Sequence, residues 1–185
     1  MVFIVLVGMP GSGKDIFVQE ATKAGFNHIR MGDMVRLFAG EAGIDSSDMS
    51  IGGFATSQRD EHGPDVWAVR TLQRMPDGNV LIDGSRSLAE IDRFRTVLGN
   101  DLKVVAIDAP SEIRFKRLVE RGRDDDPKAL EDFQTRDSRE LSWGLGEALA
   151  RADITIPNHW GLEEFREQCQ AVISQILEPM ANLYN

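Results

Sequence analysis

The sequence predicts an α/β fold in which helices cover both faces of a five-stranded parallel sheet. Two observations carry this prediction: short apolar segments alternate with longer segments of helical periodicity, and the first apolar segment runs directly into a glycine-rich loop. Strands that are separated by helices pair in parallel through right-handed crossovers, so three layers follow. The predicted strands are Val2 to Val7, Phe26 to Met31, Asn79 to Asp83, Leu102 to Asp108 and Ile154 to Pro157.

Length and composition narrow the class of protein. The 185 residues, 42% of them hydrophobic, suffice for one well-buried core, so we expect a single domain over residues 1–185. No apolar run approaches the roughly 18 residues of a membrane span, and we expect no membrane partner. The single cysteine, Cys169, excludes an internal disulfide and fits a cytoplasmic protein. The net charge of -9 argues against a nucleic-acid partner, and no pattern indicates an oligomeric state.

The first motif is the segment GMPGSGKD at residues 8–15, between the first strand and the first helix. In this context a glycine loop wraps phosphates with its backbone N–H groups, the helix N-terminus faces them, and the lysine reaches the outer phosphates. The alternative is a chance turn with a buried or solvated lysine. The residues predicted to hold the nucleotide are Gly8, Met9, Pro10, Gly11, Ser12, Gly13, Lys14 and Asp15.

Two further motifs follow the second and third strands. In MGDMVR, we expect Asp33 to be the N-cap of a helix, and Arg36 in the first turn to bind a phosphate or, alternatively, to form a surface salt bridge. In LIDGSR, Asp83 and Arg86 follow the third strand at the edge where open α/β folds bind ligands. Asp83 is suited to a magnesium-bound water and Arg86 to a phosphate, and the alternative is a polar turn.

A helix after the fourth strand carries a stripe of arginines. In SEIRFKRLVERGR, Arg114, Arg117 and Arg121 recur at i, i+3 and i+7, and Arg123 follows. Like charges at this spacing cost a helix about 0.2 to 0.5 kcal/mol per pair, so a role in stability does not explain the stripe. The pattern predicts a local positive field.

The segment TRDSRE places Arg136 and Arg139 on one helical face. Both are candidates for contact with a transferred phosphate. The alternative is local pairing, because Asp132 and Glu140 each lie four residues from Arg136.

In their order along the chain, these motifs resemble the nucleoside monophosphate kinase superfamily, and the chain resembles adenylate kinase throughout. The tail ADITIPNHWGLEEF is more similar to dephospho-coenzyme A kinase. The segments RSLAEIDRFR, RGRDDDP and RELSWGLGEALARADITIPN resemble a small archaeal family described as adenylate-kinase-related. The resemblance covers nearly all of the chain and implies a P-loop kinase fold with an acceptor flap over residues 33–75 and a small lid over residues 121–139.

The resemblance also implies roles for individual residues. Residues 8–15 would hold the phosphates of ATP, with Asp15 and Asp83 near Mg²⁺, and Asn158 would lie near the base. The acceptor would meet Asp33, Arg36, Arg59 and Arg86. Donor and transferring phosphates would meet Lys14, Arg86, Arg117, Arg121, Arg123, Arg136 and Arg139.

The implied function is ATP- and magnesium-dependent phosphoryl transfer to a small nucleotide-like acceptor, of the nucleoside monophosphate or dephospho-coenzyme A type. A nucleotide-binding switch or weak ATPase that acts through a protein partner is the alternative. The guanine-specificity motif Asn-Lys-x-Asp of many switches is absent from the sequence.

Two positions depart from the adenylate kinase pattern. LIDGSR lacks the proline that adenylate kinases carry before the arginine, which weakens an assignment of AMP as the acceptor. Asp15 stands where a Ser or Thr hydroxyl usually holds magnesium. A carboxylate about 4 Å from a phosphate would repel it by roughly 4 kcal/mol at an effective dielectric constant near 20. We therefore expect magnesium between them, held by Asp15 directly or through water.

Overall fold

A parallel five-stranded sheet in the order β2-β3-β1-β4-β5 forms the centre of the molecule. The computed structural model describes residues 1–45, 48–123 and 126–181. The strands are β1 (Phe3–Val7), β2 (Asn27–Arg30), β3 (Val80–Asp83), β4 (Leu102–Asp108) and β5 (Ile154–Pro157). All five predicted strands are confirmed, with ends within one residue of those expected.

Helices cover both faces of the sheet, as predicted. They are α1 (Lys14–Lys23), α2 (Met31–Glu41), α3 (Asp48–His62), α4 (Val66–Leu72), α5 (Leu88–Leu98), α6 (Ser111–Arg121), α7 (Leu130–Ser142), α8 (Leu145–Ala150) and α9 (Leu162–Ala181), with a short 3-10 turn at Gly99–Asp101. None of the described helices combines the length and the apolarity that crossing a bilayer requires.

The alternation of side chains along β1 builds two separate apolar cores. Phe3, Val5 and Val7 face the core that α2, α4, α5 and α8 cover, in which Trp67 and Phe94 are fully buried. Ile4 and Leu6 face the core under α1 and α9. Because both faces of the strand are buried, its sequence is apolar without interruption, and this made the strand predictable.

The second core contains the single cysteine. Cys169 lies on α9 among Phe17, Phe165 and Ile173, and it is fully buried. Burial raises the pKa of the Cys169 thiol to about 12. Cys169 is therefore a core side chain rather than an exposed, reactive thiol.

The structure corrects the start of α2. This helix begins at Met31 and its N-cap is Arg30, so Asp33 lies in the first turn and is not the N-cap. The carboxylate still favours the positive end of the helix, because it lies within the first turn.

The segments predicted as flap and lid are largely helical. Residues 33–75 comprise most of α2 together with α3 and α4, and the indole N–H of Trp67 donates to the Ala55 carbonyl, 3.2 Å away, which ties α4 to α3. Residues 121–139 run from the end of α6 into α7. Within these segments, residues 46, 47, 124 and 125 lie outside the described part of the chain.

The strand order places a crevice at the carboxyl end of β1. The chain leaves β1 toward β2 at one side of the sheet and later returns as β4 on the other side of β1. Such a topological switch point is where open α/β sheets bind ligands.

Candidate functional site

A cleft of about 420 Å³ opens at this switch point. Residues from the ends of β1, β2 and β3 and from α1, α2, α6 and α7 line it. The predicted site residues that line it are Gly8, Pro10, Gly11, Gly13, Lys14, Asp15, Arg36, Asp83, Arg86, Arg117, Arg121, Arg123 and Arg136. The fold therefore gathers side chains from motifs that are more than 100 residues apart in sequence.

Other predicted residues lie outside the lining of this cleft. Asn158 lines a neighbouring cleft of about 310 Å³, which it shares with Gly13 and Arg117. Among the described residues, Met9, Ser12, Asp33, Arg59 and Arg139 are predicted site residues that do not line either cleft.

The loop at residues 8–13 curves around the N-terminus of α1. Gly11 and Gly13 have φ angles of 79° and 106°, a region that side-chain-bearing residues rarely adopt. A Cβ at Gly11 would also lie 2.7 Å from the Arg114 carbonyl oxygen, and one at Gly13 would collide with the Asn158 amide. The first N–H groups of a helix have no partner within the helix, so the start of α1 is a place where an anion can bind, although the Ile16 N–H already donates to the Gly13 carbonyl at 3.0 Å.

Lys14 places its ammonium inside this loop. Its Nζ donates to the carbonyl oxygens of Gly8, at 2.7 Å, and Met9, at 3.3 Å. Burial of the ammonium lowers the pKa of Lys14 below 10.5, while the charges of Asp83, Glu140 and Asp15 act in the opposite direction. The two carbonyl groups therefore hold the ammonium inside the glycine loop.

Asp15 is surrounded by guanidinium groups. One carboxylate oxygen lies 3.3 Å from Arg123 Nη2 and 3.9 Å from Arg121 Nη1, and the other lies 3.9 Å from Arg30 Nη2. The side chain is 45% exposed. In this structure Asp15 acts as a counter-ion to three arginines, two of which were themselves expected to bind phosphate.

Asp83 ends β3, as predicted, and its side chain is buried. Its Oδ2 lies 3.6 Å from Arg30 Nε and 3.9 Å from His28 Nε2. Burial opposes ionisation, but His28, Lys14 and Arg30 outweigh it and hold the pKa of Asp83 below its usual 3.8. Asp83 is therefore an anion at neutral pH.

Unpartnered polar atoms in the loop region fit a phosphate ligand with a hydrated cation. Among the described residues, the buried Ser12 Oγ and Asp83 Oδ1 have no hydrogen-bond partner. No group of three or more His, Cys, Asp or Glu residues in the described part of the chain can hold a metal ion alone. Magnesium keeps several waters and binds through one or two carboxylates and substrate phosphates, so Asp83 and Asp15 fit such an ion only together with a bound phosphate.

Arg117 connects the two clefts. Its Nη2 donates to Asn158 Oδ1 at 3.0 Å, and Asn158 Nδ2 donates to the Ser12 carbonyl at 2.7 Å. Arg117 has no carboxylate partner among the described residues. Its charge is therefore available to an anionic ligand.

The arginines at the lid converge on Asp126, a buried residue that the sequence did not single out for the site. Arg121 Nε donates to its Oδ2 at 2.9 Å, the backbone N–H of Arg123 donates to the same oxygen at 3.0 Å, and Arg136 Nη1 lies 3.6 Å from its Oδ1. The hydrogen bonds from Arg121 lower the pKa of Asp126, and burial raises it. The Arg123 N–H and the charges of Arg121 and Arg136 add to the lowering, so the pKa lies below its ordinary value. Asp126 thus joins α6 to α7, and it is a distant partner of Arg136 that local spacing did not predict.

The remaining predicted arginines surround Trp143. The guanidinium carbons of Arg86, Arg139 and Arg59 lie 5.0, 5.6 and 5.8 Å from the centroid of its ring. These distances allow cation–π attraction. Arg36 pairs with Asp33 at 3.3 Å on the surface, which is the alternative considered for this arginine, while it also lines the cleft.

Two buried carboxylates hold Arg86 and Arg59, and neither was predicted. Arg86 Nε lies 3.0 Å from Glu140 Oε2, and Arg59 Nη2 lies 3.2 Å from Glu90 Oε1. Glu90 also accepts hydrogen bonds from the Arg86 backbone N–H at 2.7 Å and Ser85 Oγ at 3.2 Å. A signal for Glu90 was present, because Ser87-x-x-Glu90 has the spacing of a capping box, and Ser87 Oγ accepts from the Glu90 N–H.

Comparison with known proteins yields a family and a fold. A family model described as an AAA domain matches residues 7–134. UPF0200 protein Ta0179 of Thermoplasma acidophilum is 46% identical over 173 residues, which are 93% of this chain and 95% of that protein. UPF0200 protein Mbar_A0975 of Methanosarcina barkeri is 39% identical over 180 residues, which are 96% of this chain and 97% of that protein.

Solved structures of low identity share the architecture. A gluconokinase from Sinorhizobium meliloti superimposes with a TM-score of 0.62 at 17% identity, over 100% of this chain and 98% of that one. A shikimate kinase from Bacteroides thetaiotaomicron does so with a TM-score of 0.64 at 16% identity, over 94% of this chain and 98% of that one. At such identities the likeness establishes a P-loop kinase-like fold and nothing about the substrate.

Proposed function

The chain belongs to the UPF0200 family and has a P-loop kinase-like fold, and on that premise we propose that it transfers the γ-phosphoryl group of ATP to a small acceptor. The acceptor would be nucleotide-like, of the nucleoside monophosphate or dephospho-coenzyme A type. One observation carries the proposal: Lys14, Asp83, Arg86 and Arg117, which come from three separate motifs, line a single cleft beside the glycine loop.

Phosphoryl transfer requires positioning and charge neutralisation more than covalent participation by the protein, which fits a site of arginines, a lysine and carboxylates. The N–H groups at the start of α1 and Lys14 would bind the outer phosphates. Asp15 and Asp83 would hold magnesium, directly or through water, and the bound cation would neutralise phosphate charge. Arg117 would hold the donor phosphates, and Asn158, which orients Arg117, would lie beside the base.

The flap and lid complete the proposed site. We propose that residues 33–75 cover the acceptor, with Arg36, Asp33 and Arg59, and that residues 121–139 form the lid. Arg121, Arg123 and Arg136 share carboxylates in this structure, so closure over a nucleotide would exchange these pairs for phosphate contacts. Arg139 would approach the transferring group from α7. A closed lid would exclude the water that otherwise hydrolyses ATP.

A coupled assay of ADP release tests the proposal. Purified protein with MgATP is assayed alone and with AMP, CMP, UMP or dephospho-coenzyme A. We expect at least one acceptor to raise the rate about tenfold or more over hydrolysis, because correct positioning lowers the barrier only when the acceptor is bound. A slow hydrolysis that no acceptor stimulates would contradict the kinase proposal and favour the switch or ATPase.

Magnesium dependence of nucleotide binding is a separate prediction for Asp15. Without magnesium, Asp15→Ser and the isosteric Asp15→Asn are expected to bind ATP about tenfold more tightly than the wild type, since the carboxylate repels phosphate. This repulsion is moderated because the Asp15 side chain is half exposed to solvent and lies beside arginines. With magnesium the difference should shrink, because the cation separates the two anions.

Titration calorimetry at several magnesium concentrations measures this dependence. Asp92→Asn, which removes an exposed carboxylate of α5 that lines neither cleft, is the matched control. Equal magnesium dependence in the wild type and the two Asp15 variants would contradict a role for Asp15 beside the metal ion.

A further inference from the structure

A buried carboxylate lies beside Arg86 in the cleft and has no role in the function proposed so far. Glu140, on α7, is 3% exposed and lines the cleft together with Lys14 and Arg86. Its Oε2 lies 3.0 Å from Arg86 Nε. A charged group that is buried at a reaction cleft requires an explanation, because burial without a function is costly.

The arginines expected to bind an acceptor phosphate are already neutralised. Arg86 is paired with Glu140, and Arg59 with the fully buried Glu90. Lys14 and Arg117 differ, because carbonyl and amide oxygens hold them. The positive charges of Lys14 and Arg117 are therefore available to the donor phosphates. Arg86 offers much less positive charge to a second dianion.

A phosphate acceptor would meet the remaining N–H groups of Arg86 while the Nε contact to Glu140 is in place. The buried carboxylate and the phosphate dianion would then lie close together, share one positive charge and repel each other. A neutral hydroxyl avoids this repulsion, because it donates a hydrogen bond to the Glu140 carboxylate and leaves the Arg86 pair intact.

We propose, resting on the proposed function, that the acceptor of the phosphoryl group is a hydroxyl and that Glu140 accepts its proton. The hydroxyl oxygen forms a bond to the γ-phosphorus of ATP, and the bond between that phosphorus and the β,γ-bridging oxygen breaks. ADP leaves with the electron pair of that bond. The hydroxyl proton passes to the Glu140 carboxylate and then to solvent, so the products are a phosphate monoester, ADP and one proton.

The linkage in the product distinguishes the two acceptor classes in the wild-type protein. Protein and MgATP are incubated with hydroxyl acceptors (dephospho-coenzyme A, adenosine, cytidine) and, separately, with AMP, CMP and UMP, and the products are identified by phosphorus NMR. We expect a phosphate monoester to form. Formation of a phosphoanhydride on a nucleoside monophosphate would overturn the inference and leave the kinase proposal standing. Absence of transfer to every acceptor, with ATP binding intact, would overturn both.

Glu140→Gln supplies the second measurement. We expect kcat for the hydroxyl acceptor to fall about 100-fold or more, as is typical when a general base is lost, while the Kd for ATP changes less than threefold. Glu131→Gln, an exposed carboxylate on the same helix, is the matched control and should keep the wild-type rate. A site that accepts phosphate predicts the opposite sign, since removing the repelling charge would raise transfer to a monophosphate.

A second variant covers the case in which Glu140→Gln is too unstable to assay. If Glu140→Gln does not fold, Glu140→Asp retains a carboxylate, and partial activity with the same monoester product is expected. An unchanged or faster rate in a folded Glu140→Gln would overturn the role of Glu140.

Discussion

Replacing Lys14 with methionine is expected to reduce the rate of phosphoryl transfer at saturating MgATP by at least about 100-fold. Loss of a single preorganised cation or donor at a site of developing charge typically costs 100- to 1,000-fold in rate. Lys14 lies in the loop with its ammonium held by the Gly8 and Met9 carbonyls, so the cation is already positioned and needs only to exchange these contacts for phosphate oxygens. Steady-state kinetics with the best acceptor from the coupled assay measure the effect.

The control for this variant is Lys23→Met at the opposite end of the same helix, where the side chain is exposed and pairs with Glu20. That variant should keep the wild-type rate. A Lys14→Met protein that retained more than a tenth of the activity would show that the loop does not act as proposed.

The lowered pKa of Lys14 adds a dependence on pH to the same prediction. Because burial favours the neutral amine, the free protein loses this positive charge as pH rises through a pKa below the ordinary 10.5. We expect kcat/KM for ATP to fall on that alkaline limb, since kcat/KM reports groups of the free enzyme. In Lys14→Arg the limb should move to higher pH, because arginine stays protonated.

Replacing Arg114 with methionine is expected to lower the free energy of unfolding by about 3 to 5 kcal/mol, the usual cost of removing one partner of a buried ion pair. Arg114 is 6% exposed and forms two hydrogen bonds to the carboxylate of Asp137, one of them at 2.9 Å. It also donates to the carbonyls of Ala109 and Pro10, both at 3.2 Å, and so connects α6, α7 and the glycine loop. Urea unfolding followed by circular dichroism measures the change.

Two comparisons test the origin of that loss. Lys116→Met removes an exposed cation from the same helix and should change stability by less than about 0.5 kcal/mol. The double variant Arg114→Met with Asp137→Leu should be more stable than Arg114→Met alone, because no unpaired carboxylate remains. A loss in Arg114→Met no larger than that in Lys116→Met would contradict the assignment.

Arg114 also illustrates where prediction from sequence stopped. The spacing of Arg114, Arg117 and Arg121 correctly placed them along one helix, and it suggested a common role in a positive field. In the structure Arg114 turns into the interior, Arg117 bridges the two clefts, and Arg121 pairs with Asp126. Helical periodicity specifies only the direction of each side chain around its own axis, whereas the identity of the partner depends on the neighbouring helix.

The pairing of acidic residues was missed for the same reason. Glu140 was one of two local partners considered for Arg136, because it lies four residues away, yet its carboxylate contacts Arg86 from a different segment. Asp137, Asp126 and Glu90 had no motif that linked them to a distant arginine. Opposite charges are abundant in this sequence, so spacing alone offers many pairs of nearly equal merit.

Sequence patterns were sufficient to predict the layer architecture, the strands to within one residue and the glycine loop. These features depend on local patterns: uninterrupted apolar runs for strands buried on both faces, and a glycine loop between a strand and a helix. The carboxylate that neutralises each arginine, as in the Asp15 cluster and the Glu140–Arg86 pair, became known from the packed fold alone. Ion pairing depends on distances of a few ångströms between side chains from separate elements, and these distances exist only once the helices have packed on the sheet.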